Sequence, residues 1–279
     1  MNRATENEIE AMRRLAREAG KLVLSIRDDG FDVEMKGVDD PVTRADREAN
    51  QLICGELGRT FASHGVLGEE SVPGDPQALA AIVKRSRVFF VDPVDGTREF
   101  ADKRPDFCVM IGLAVGGRAV AGAVFIPMED KLFWTDGEGG AFVEEGKSPP
   151  RELRIEPPAS TSDARAVVSR SHASPDTSAV LGTLGITAIT PCGSVGVKIA
   201  RVIEGKADLY VHVSGGAKLW DSCAPEAILR AAGGDLGDLD GRPIDYHGPL
   251  GLGNGLIAAH PSLVGPVKHA VASLPSRAK

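Results

Sequence analysis

The apolar stretch 88–91 is typical of a β-strand, and it runs directly into the sequence Asp-Pro-Val-Asp-Gly-Thr at 92–97. Such a strand delivers two carboxylates, Asp92 and Asp95, and the hydroxyl of Thr97 into one tight turn. Two carboxylates this close repel each other unless a cation lies between them. Because all-oxygen ligands favour a hard cation, the turn predicts a Mg²⁺ site. The alternative is an ordinary surface turn, since Asp, Pro and Gly are common in turns for conformational reasons.

The composition is that of a soluble globular protein: 279 residues, 42% hydrophobic and 25% charged, enough for one large domain or two small ones. A net charge of −7 argues against a nucleic-acid polymer as partner, because the phosphate backbone is itself negative. The four cysteines are scattered without a Cys-x-x-Cys pair, so buried reduced thiols are expected rather than a zinc site. The sequence has no apolar signal core and no membrane-spanning run, so we expect a cytoplasmic protein that does not bind membranes.

Helical patterns precede strand patterns in the first half of the chain. The motif Thr5-x-x-Glu8 resembles a capping box, and apolar residues then recur at helical spacing, which predicts a helix over 5–28. A strand edge followed by a loop is expected over 32–40, and Thr43 is predicted to cap a second helix. Further strands are predicted at 66–67, 107–115, 119–126 and 131–134, with a hairpin turn at Gly116-Gly117, and a short helix is predicted around 76–86. The first half is thus predicted to be helices followed by an antiparallel sheet.

The stretch 144–163 is rich in Glu, Pro and Ser and is the best candidate for a domain boundary. We therefore expect an N-terminal α+β domain over 1–150, which carries most metal ligands, and a C-terminal α/β domain over 151–279. Strands and helices alternate in the second half. The predicted strands are 165–169, 186–190, 207–213 and 255–259, and the predicted helices are 175–184, 194–204 and 221–232.

Acidic residues also stand at the ends of other predicted elements. Asp46 falls in the first turn of the second helix, Glu69-Glu70 follow a short strand, and Asp221 stands at the start of a helix. Each has a local explanation, as a helix-dipole partner, a solvated loop or an N-cap. Together they match what a two-metal phosphatase needs, namely several acidic ligands and a group that orients water. The predicted ligands are Glu69, Asp92, Asp95 and Asp221, and the predicted water-orienting pair is Thr97 and Asp46.

Four segments, in this order, resemble the inositol monophosphatase-like family of Mg²⁺-dependent, lithium-sensitive phosphatases. They are Val42-Thr43-x-x-Asp46, Gly68-Glu69-Glu70-Ser71, the 92–97 turn and Trp220-Asp221-x-x-Ala224-Pro225. Each segment alone is unspecific, but the combination is highly specific. The resemblance implies an α+β and α/β architecture, the layered αβαβα sandwich of the inositol monophosphatase and fructose-1,6-bisphosphatase type.

The resemblance also implies a role for individual residues. The metal ligands for two or three Mg²⁺ ions are Glu69, Asp92, the backbone carbonyl of Val94, Asp95 and Asp221. Asp46 accepts a proton that Thr97 relays from the attacking water. The positions that contact substrate are Gly96, Thr97, His172, Ser194 and Lys198, and the family often has glycine where Ser194 stands. From the residues alone, His172 is also consistent with an exposed side chain that has no role, and Lys198 with an ordinary surface lysine. The start of the helix near Ser194 could bind an anion.

The second half of the chain resembles one branch of the family more closely, the 3'(2'),5'-bisphosphate nucleotidases. The likeness lies in 169–172, 203–207, 218–226 and 240–246, together with 98–100. Inositol phosphatases usually carry an acidic residue about seven positions before the residue that corresponds to Asp221. This chain has Ser214 there, which weakens the case for an inositol substrate. The expected reaction is in-line attack of water on the 3'-phosphate of adenosine 3',5'-bisphosphate, which gives AMP and phosphate. Its sulfated analogue is a second expected substrate, and both connect the enzyme with sulfur assimilation.

Two alternatives stay open. One is hydrolysis of inositol or fructose phosphates on the same fold, and the other is a regulator that binds metal or nucleotide without catalysis. The presence of both Asp46 and Thr97 argues against the regulator, because a binder needs no water-orienting pair. The expected partner is a small phosphorylated molecule, and the protein is expected to be a monomer or a homodimer.

Overall fold

The computed structural model describes residues 3–37, 40–170 and 174–277, with the backbone alone for Lys36 and Asp40. The helices, α1 to α8 in chain order, are Glu6–Asp29, Arg44–Thr60, Pro76–Val83, Thr97–Ala101, Pro175–Thr183, Val195–Ile203, Leu219–Ala231 and Pro261–Ala272. The strands, β1 to β14, are Val33–Gly37, Asp40–Thr43, Gly65–Gly68, Arg87–Asp95, Cys108–Val115, Arg118–Ile126, Lys131–Thr135, Ala141–Glu145, Arg151–Glu152, Arg165–Ser169, Ala188–Cys192, Leu209–His212, Asp235–Gly237 and Leu256–Ala259.

Both predicted N-terminal caps form. The Thr5 hydroxyl accepts a hydrogen bond from the Glu8 backbone N–H at 3.4 Å, and the Glu8 carboxylate accepts one from the Thr5 N–H at 2.6 Å. The helix predicted over 5–28 is confirmed as α1. Thr43 caps α2 in the same way, and the Asp46 carboxylate accepts the Thr43 N–H at 2.8 Å. Asp46 is therefore held in the first turn of α2 with one carboxylate oxygen already occupied.

The first sheet has the strand order β3-β4-β5-β6-β7-β8-β9. β3 and β4 run parallel, and all other neighbouring strands of this sheet run antiparallel. The predicted antiparallel sheet is thus confirmed except at one edge, and the predicted turn at Gly116-Gly117 joins β5 to β6. The strand edge expected within 32–40 is confirmed as β1. β2, β8 and β9 were not predicted, because these strands are short and contain charged residues.

The second sheet has the order β11-β10-β12-β14-β13 and is mixed. β10 pairs in parallel with β11 and β12, whereas β14 pairs antiparallel with β12 and β13. The strand predicted at 186–190 is displaced by two residues, because the N–H of Ile186 still bonds to the carbonyl of Leu181 in the turn after α5. β13 is only three residues long and α8 contains Pro266 in its interior, so neither carried a clear signal.

The elements form five layers. α1 and α2 cover one face of the first sheet, α6 and α7 lie between the two sheets, and α5 and α8 cover the outer face of the second sheet. The predicted αβαβα sandwich is confirmed. A Cβ added to Gly112 of β5 or Gly122 of β6 would lie 2.5 or 2.4 Å from the backbone of Ala224. Glycine at these two positions lets α7 lie directly on the sheet, and this sets the start of α7 against β4.

The buried core between the sheets takes side chains from both halves of the chain. Phe90 of the first half packs on Tyr246 of the second, with ring centroids 5.4 Å apart. The first sheet ends with β9 and the second begins with β10. The division into domains at 1–150 and 151–279 stays a prediction.

Two expectations from the composition concern cysteines and membranes. The cysteines are unpaired, and three are buried while Cys54 is half-buried. Within the described residues, no helix combines the length and the apolar character that crossing a membrane requires.

Candidate active site

Three of the predicted carboxylates lie where β3, β4 and α7 meet. β3 and β4 are parallel neighbours in which Gly68 pairs with Val91, so Glu69 and Asp92 follow side by side. Asp221 lies in the first turn of α7, which packs against β4. Asp92 is fully buried and Asp221 is half-buried. Strand register and helix packing thus gather residues from three distant segments of the chain.

The predicted water-orienting pair is in hydrogen-bond contact. The Thr97 hydroxyl lies 2.9 Å from Asp46 Oδ1 and 3.1 Å from the carbonyl oxygen of Val94. The second oxygen of Asp46 accepts the N–H and the hydroxyl of Thr43, at 2.8 and 2.6 Å, so the carboxylate is fixed facing Thr97. Burial raises the pKa of Asp46, against hydrogen bonds from Thr43 and Thr97 that lower it. This carboxylate is therefore a stronger proton acceptor than a solvated one.

Asp95 is held by the first turn of α6. Its Oδ2 accepts hydrogen bonds from the Ser194 hydroxyl and the Gly196 N–H, each at 2.5 Å, and its Oδ1 accepts the Val195 N–H at 3.1 Å. The positive end of the helix dipole stabilises a carboxylate at this place. Gly96 follows with φ +94°, where a Cβ would lie 2.9 Å from a backbone oxygen. The turn between Asp95 and Thr97 therefore requires glycine.

Neighbouring carboxylates raise the pKa of Asp92 and the pKa of Asp221. Burial, followed by the charges of Glu69, Asp95 and Asp221, raises the pKa of Asp92 well above its usual range. Burial and the charge of Asp95 raise the pKa of Asp221 to about 8, against a hydrogen bond from the Lys218 N–H. Within the described part of the chain, Asp92, Asp95 and Asp221 form no ion pair with lysine or arginine. Crowded carboxylates of this kind call for a cation, and an oxygen-only donor set fits Mg²⁺.

The described side chains include no ready-made group of three His, Cys, Asp or Glu ligands around one point. The α6 backbone and the Ser194 hydroxyl occupy both oxygens of Asp95 with hydrogen bonds. The ligand roles therefore stay a prediction, supported by proximity and charge, for Glu69, Asp92, Val94, Asp95 and Asp221.

A cleft of about 310 Å³ opens beside these carboxylates, and its lining includes Asp95, Gly96, Thr97, Ser194, Lys198 and Asp221. Lys198 is only 3% exposed, and its Nζ lies 5.3 Å from the centre of the Tyr210 ring. Its ammonium makes no hydrogen bond or ion pair with any described residue. Burial lowers its pKa, against the charge of Asp95. The alternative of a surface lysine is wrong. His172 lies outside the described residues.

The classification of the chain follows from its sequence as a whole. The model of the inositol monophosphatase family matches residues 5–272. The chain belongs to the inositol monophosphatase family. A human relative named 3'(2'),5'-bisphosphate nucleotidase 1 is 32% identical over 266 residues, which cover 84% of this chain and 83% of the relative. A relative from Escherichia coli O157:H7 named 3'(2'),5'-bisphosphate nucleotidase CysQ is 33% identical over 237 residues, which cover 83% of this chain and 91% of the relative.

A solved structure supports the family at the level of the fold. The extragenic suppressor protein suhB from Bartonella henselae matches with a TM-score of 0.80 and 25% identity, over 96% of this chain and 99% of that protein. The five layers and both sheets of this inositol monophosphatase family member therefore correspond to an experimentally determined architecture.

Several further cleft residues of this family member were not predicted as site residues. Arg98 and Glu99 lie on α4 just after the 92–97 turn, Arg170 follows β10, and His212 ends β12. β10 and β12 are parallel neighbours, so their carboxyl ends open at the same edge of the sheet. Ligands bind at such edges in α/β folds. The signal that finds Arg170 and His212 is therefore their position at the carboxyl ends of predicted strands.

Proposed function

We propose that this chain is a Mg²⁺-dependent phosphomonoesterase that removes the 3'-phosphate of adenosine 3',5'-bisphosphate and gives AMP and phosphate. The main observation behind this proposal is that carboxylates and Thr97 line the same cleft as the buried ammonium of Lys198. A substrate with two phosphates uses one side for the reaction and the other for binding. The names of the human and E. coli relatives support this choice of substrate.

On the reacting side, Thr97 and Asp46 prepare the water. The Thr97 hydroxyl donates to Asp46 Oδ1, which leaves its oxygen as an acceptor for a proton of the water. As the water oxygen bonds to phosphorus, the bond from phosphorus to the 3'-oxygen breaks in line with it, and the departing 3'-oxygen takes a proton from solvent water. The proton passes through Thr97 to Asp46, which Thr43 holds in place. No covalent enzyme intermediate is needed.

The proposed ligands for two or three Mg²⁺ ions are Glu69, Asp92, the Val94 carbonyl, Asp95 and Asp221. When bound, Mg²⁺ supplies the positive charge that offsets the phosphoryl oxygens and the departing 3'-oxygen. The chain contributes position: α6 fixes Asp95, and the buried end of β4 fixes Asp92. Because these carboxylates are already held in place, the reaction requires less reorganisation.

On the binding side, Lys198 neutralises the second phosphate of the substrate. An ammonium that is desolvated by burial binds an anion more strongly than a solvated one. The first turn of α6 at Ser194 and, by resemblance, His172 extend this side. Ser214 also lines the cleft, and its neutral hydroxyl lacks the charge with which inositol phosphatases usually bind inositol hydroxyls. The sulfated analogue keeps an anionic group at the same end, so we propose it as a second substrate.

A phosphate-release assay tests the proposal. The protein is given adenosine 3',5'-bisphosphate, its sulfated analogue, inositol 1-phosphate and fructose 1,6-bisphosphate at equal concentrations, with Mg²⁺ or with EDTA. We expect kcat/KM for the nucleotides to exceed that for inositol 1-phosphate by about tenfold or more, because the second anionic group of the nucleotides gains one charged contact. We expect no turnover in EDTA.

The alternatives give different results in the same assay. Faster turnover of inositol or fructose phosphate would favour the alternative substrate class. No turnover of any substrate with Mg²⁺, combined with tight nucleotide binding, would favour the non-catalytic regulator. A cytoplasmic location, a monomeric or homodimeric state, lithium inhibition and a role in sulfur assimilation stay predictions.

A further inference from the structure

Ser194 has a backbone conformation that serine rarely adopts. Its φ is +54° and its ψ is 136°, a region that essentially only glycine occupies without strain. The residue is 7% exposed and lies immediately before α6. Such strain persists at functional sites when the side chain makes contacts that offset it.

The Ser194 hydroxyl contacts Asp95, one of the proposed metal ligands. It donates to Asp95 Oδ2 at 2.5 Å and accepts the Val197 N–H at 3.0 Å. Asp95 Oδ2 also receives the Gly196 N–H at 2.5 Å, and Asp95 Oδ1 receives the Val195 N–H at 3.1 Å. Two strong donors thus turn Oδ2 toward α6 and leave Oδ1 with a single, longer bond.

Helix capping alone does not account for a serine here. The N–H groups of Val195 and Gly196 reach Asp95 from the backbone, so a glycine at 194 would keep both bonds without strain. A glycine cap is also nearly as good as a serine cap for the helix. What serine adds, and glycine lacks, is the hydroxyl on Asp95 Oδ2.

We propose that Ser194 is a positioning residue for Asp95. Its hydroxyl holds Oδ2 against α6, so that the carboxylate presents Oδ1 to the cation in one orientation. This inference rests on the proposed function, because it takes Asp95 as a ligand. Hydrogen bonds to ligating carboxylates tune metal affinity, and their removal typically weakens binding 10- to 100-fold.

The test compares Ser194→Gly with Ser194→Ala, which lose the same hydroxyl but differ in strain. Mn²⁺ serves as the probe in place of Mg²⁺, and its dissociation constant is measured by electron paramagnetic resonance without substrate. We expect both variants to bind Mn²⁺ about tenfold more weakly than wild type. In EDTA, we expect the melting temperature of Ser194→Gly to exceed that of Ser194→Ala by several degrees, because glycine tolerates the positive φ.

A matched control separates strain from positioning. Lys103 is exposed and also has positive φ, +57°, and it does not line the cleft. Lys103→Gly should raise the melting temperature and leave the Mn²⁺ dissociation constant unchanged.

The outcomes distinguish this inference from the proposed function. Wild-type Mn²⁺ affinity in Ser194→Gly would overturn the positioning role and leave the proposed function intact. Absence of Mn²⁺ binding by the wild type would overturn the positioning role together with the proposed metal site. If Ser194→Ala fails to fold, Ser194→Gly alone still decides.

Discussion

Two buried carboxylate sites in this molecule are built in opposite ways. Glu8 is 2% exposed, accepts hydrogen bonds from Arg87 at 2.7 and 2.6 Å, and lies 2.6 Å from His64 Nε2. Burial raises its pKa, but the bonds from Arg87, the Thr5 backbone and His64 lower it to about 2. Asp92 is equally buried, yet its strongest charged neighbours are other carboxylates, and its pKa is raised.

The difference separates a structural from a functional role. The charge of Glu8 is neutralised inside the chain, where it joins α1 to β4 and the turn before β3. The charges of Asp92, Asp95 and Asp221 are not neutralised by any lysine or arginine ion pair within the described residues. Strongly perturbed, uncompensated carboxylates in a cleft are the pattern of a site that serves a ligand. The four predictions that follow test this contrast.

The largest effect is expected for Asp92→Asn. We expect kcat/KM with Mg²⁺ to fall about 10³-fold, because a proposed ligand is lost. The melting temperature in EDTA should rise, because one of several repelling buried charges is removed. Phosphate release and thermal melting measure the two quantities. Turnover close to that of wild type would remove Asp92 from the metal site.

Glu8→Gln should lower stability and leave catalysis intact, the reverse of Asp92→Asn. We expect the free energy of unfolding to fall by about 3 kcal/mol, because Arg87 loses its buried partner, while kcat of the folded protein stays unchanged. The folded pKa of about 2 lies below the ordinary value of 4.5. Glu8 therefore stabilises the fold above pH 4.5, and this contribution is lost as the pH falls toward 2.

Denaturant unfolding between pH 6 and pH 3 measures this contribution, because it begins to fall below pH 4.5. The difference between wild type and Glu8→Gln should shrink as the pH falls. A constant difference over this range would show that Glu8 acts through packing rather than through charge.

The next effect is expected for Thr97→Val, which keeps the shape and removes the hydroxyl. We expect kcat to fall about 10²-fold with little change in melting temperature, because Asp46 no longer receives a proton through Thr97. Thr97→Ser is the control and should keep most of the activity. A valine variant as fast as wild type would exclude the relay.

The smallest effect is expected for Lys198→Met. We expect KM for adenosine 3',5'-bisphosphate to rise about tenfold, because one charge-assisted contact is lost. KM for adenosine 3'-monophosphate, which lacks the second phosphate, should stay unchanged. The melting temperature should rise, because burial of a charge is removed. An equal rise in KM for both nucleotides would place Lys198 at the reacting phosphate instead.

Features encoded by local motifs could be predicted from the sequence. The caps at Thr5 and Thr43 depend on residues three positions apart, and both were predicted correctly. The resemblance across four segments predicted the αβαβα sandwich. Because β3 and β4 run parallel and Gly68 pairs with Val91, Glu69 and Asp92 come to lie side by side as the motifs indicated.

Features that depend on tertiary packing could not be predicted in this way. The burial of Lys198 follows from the position of α6 between two sheets, and residue type alone favoured the surface. The positive φ of Ser194 accompanies a hydrogen bond to Asp95, a partner 99 residues away in the chain. α8 escaped prediction because Pro266 interrupts its pattern while packing of the helix onto the second sheet maintains it.

The central claim is that uncompensated carboxylates form a cation site, and the effect of Mg²⁺ on the melting temperature tests it most directly. For wild type we expect a rise of about 5 °C or more when Mg²⁺ is in 100-fold excess over its dissociation constant. For Asp92→Asn we expect a higher melting temperature in EDTA and almost no response to Mg²⁺. A wild-type melting temperature that does not respond to Mg²⁺ at concentrations that support turnover would contradict the account.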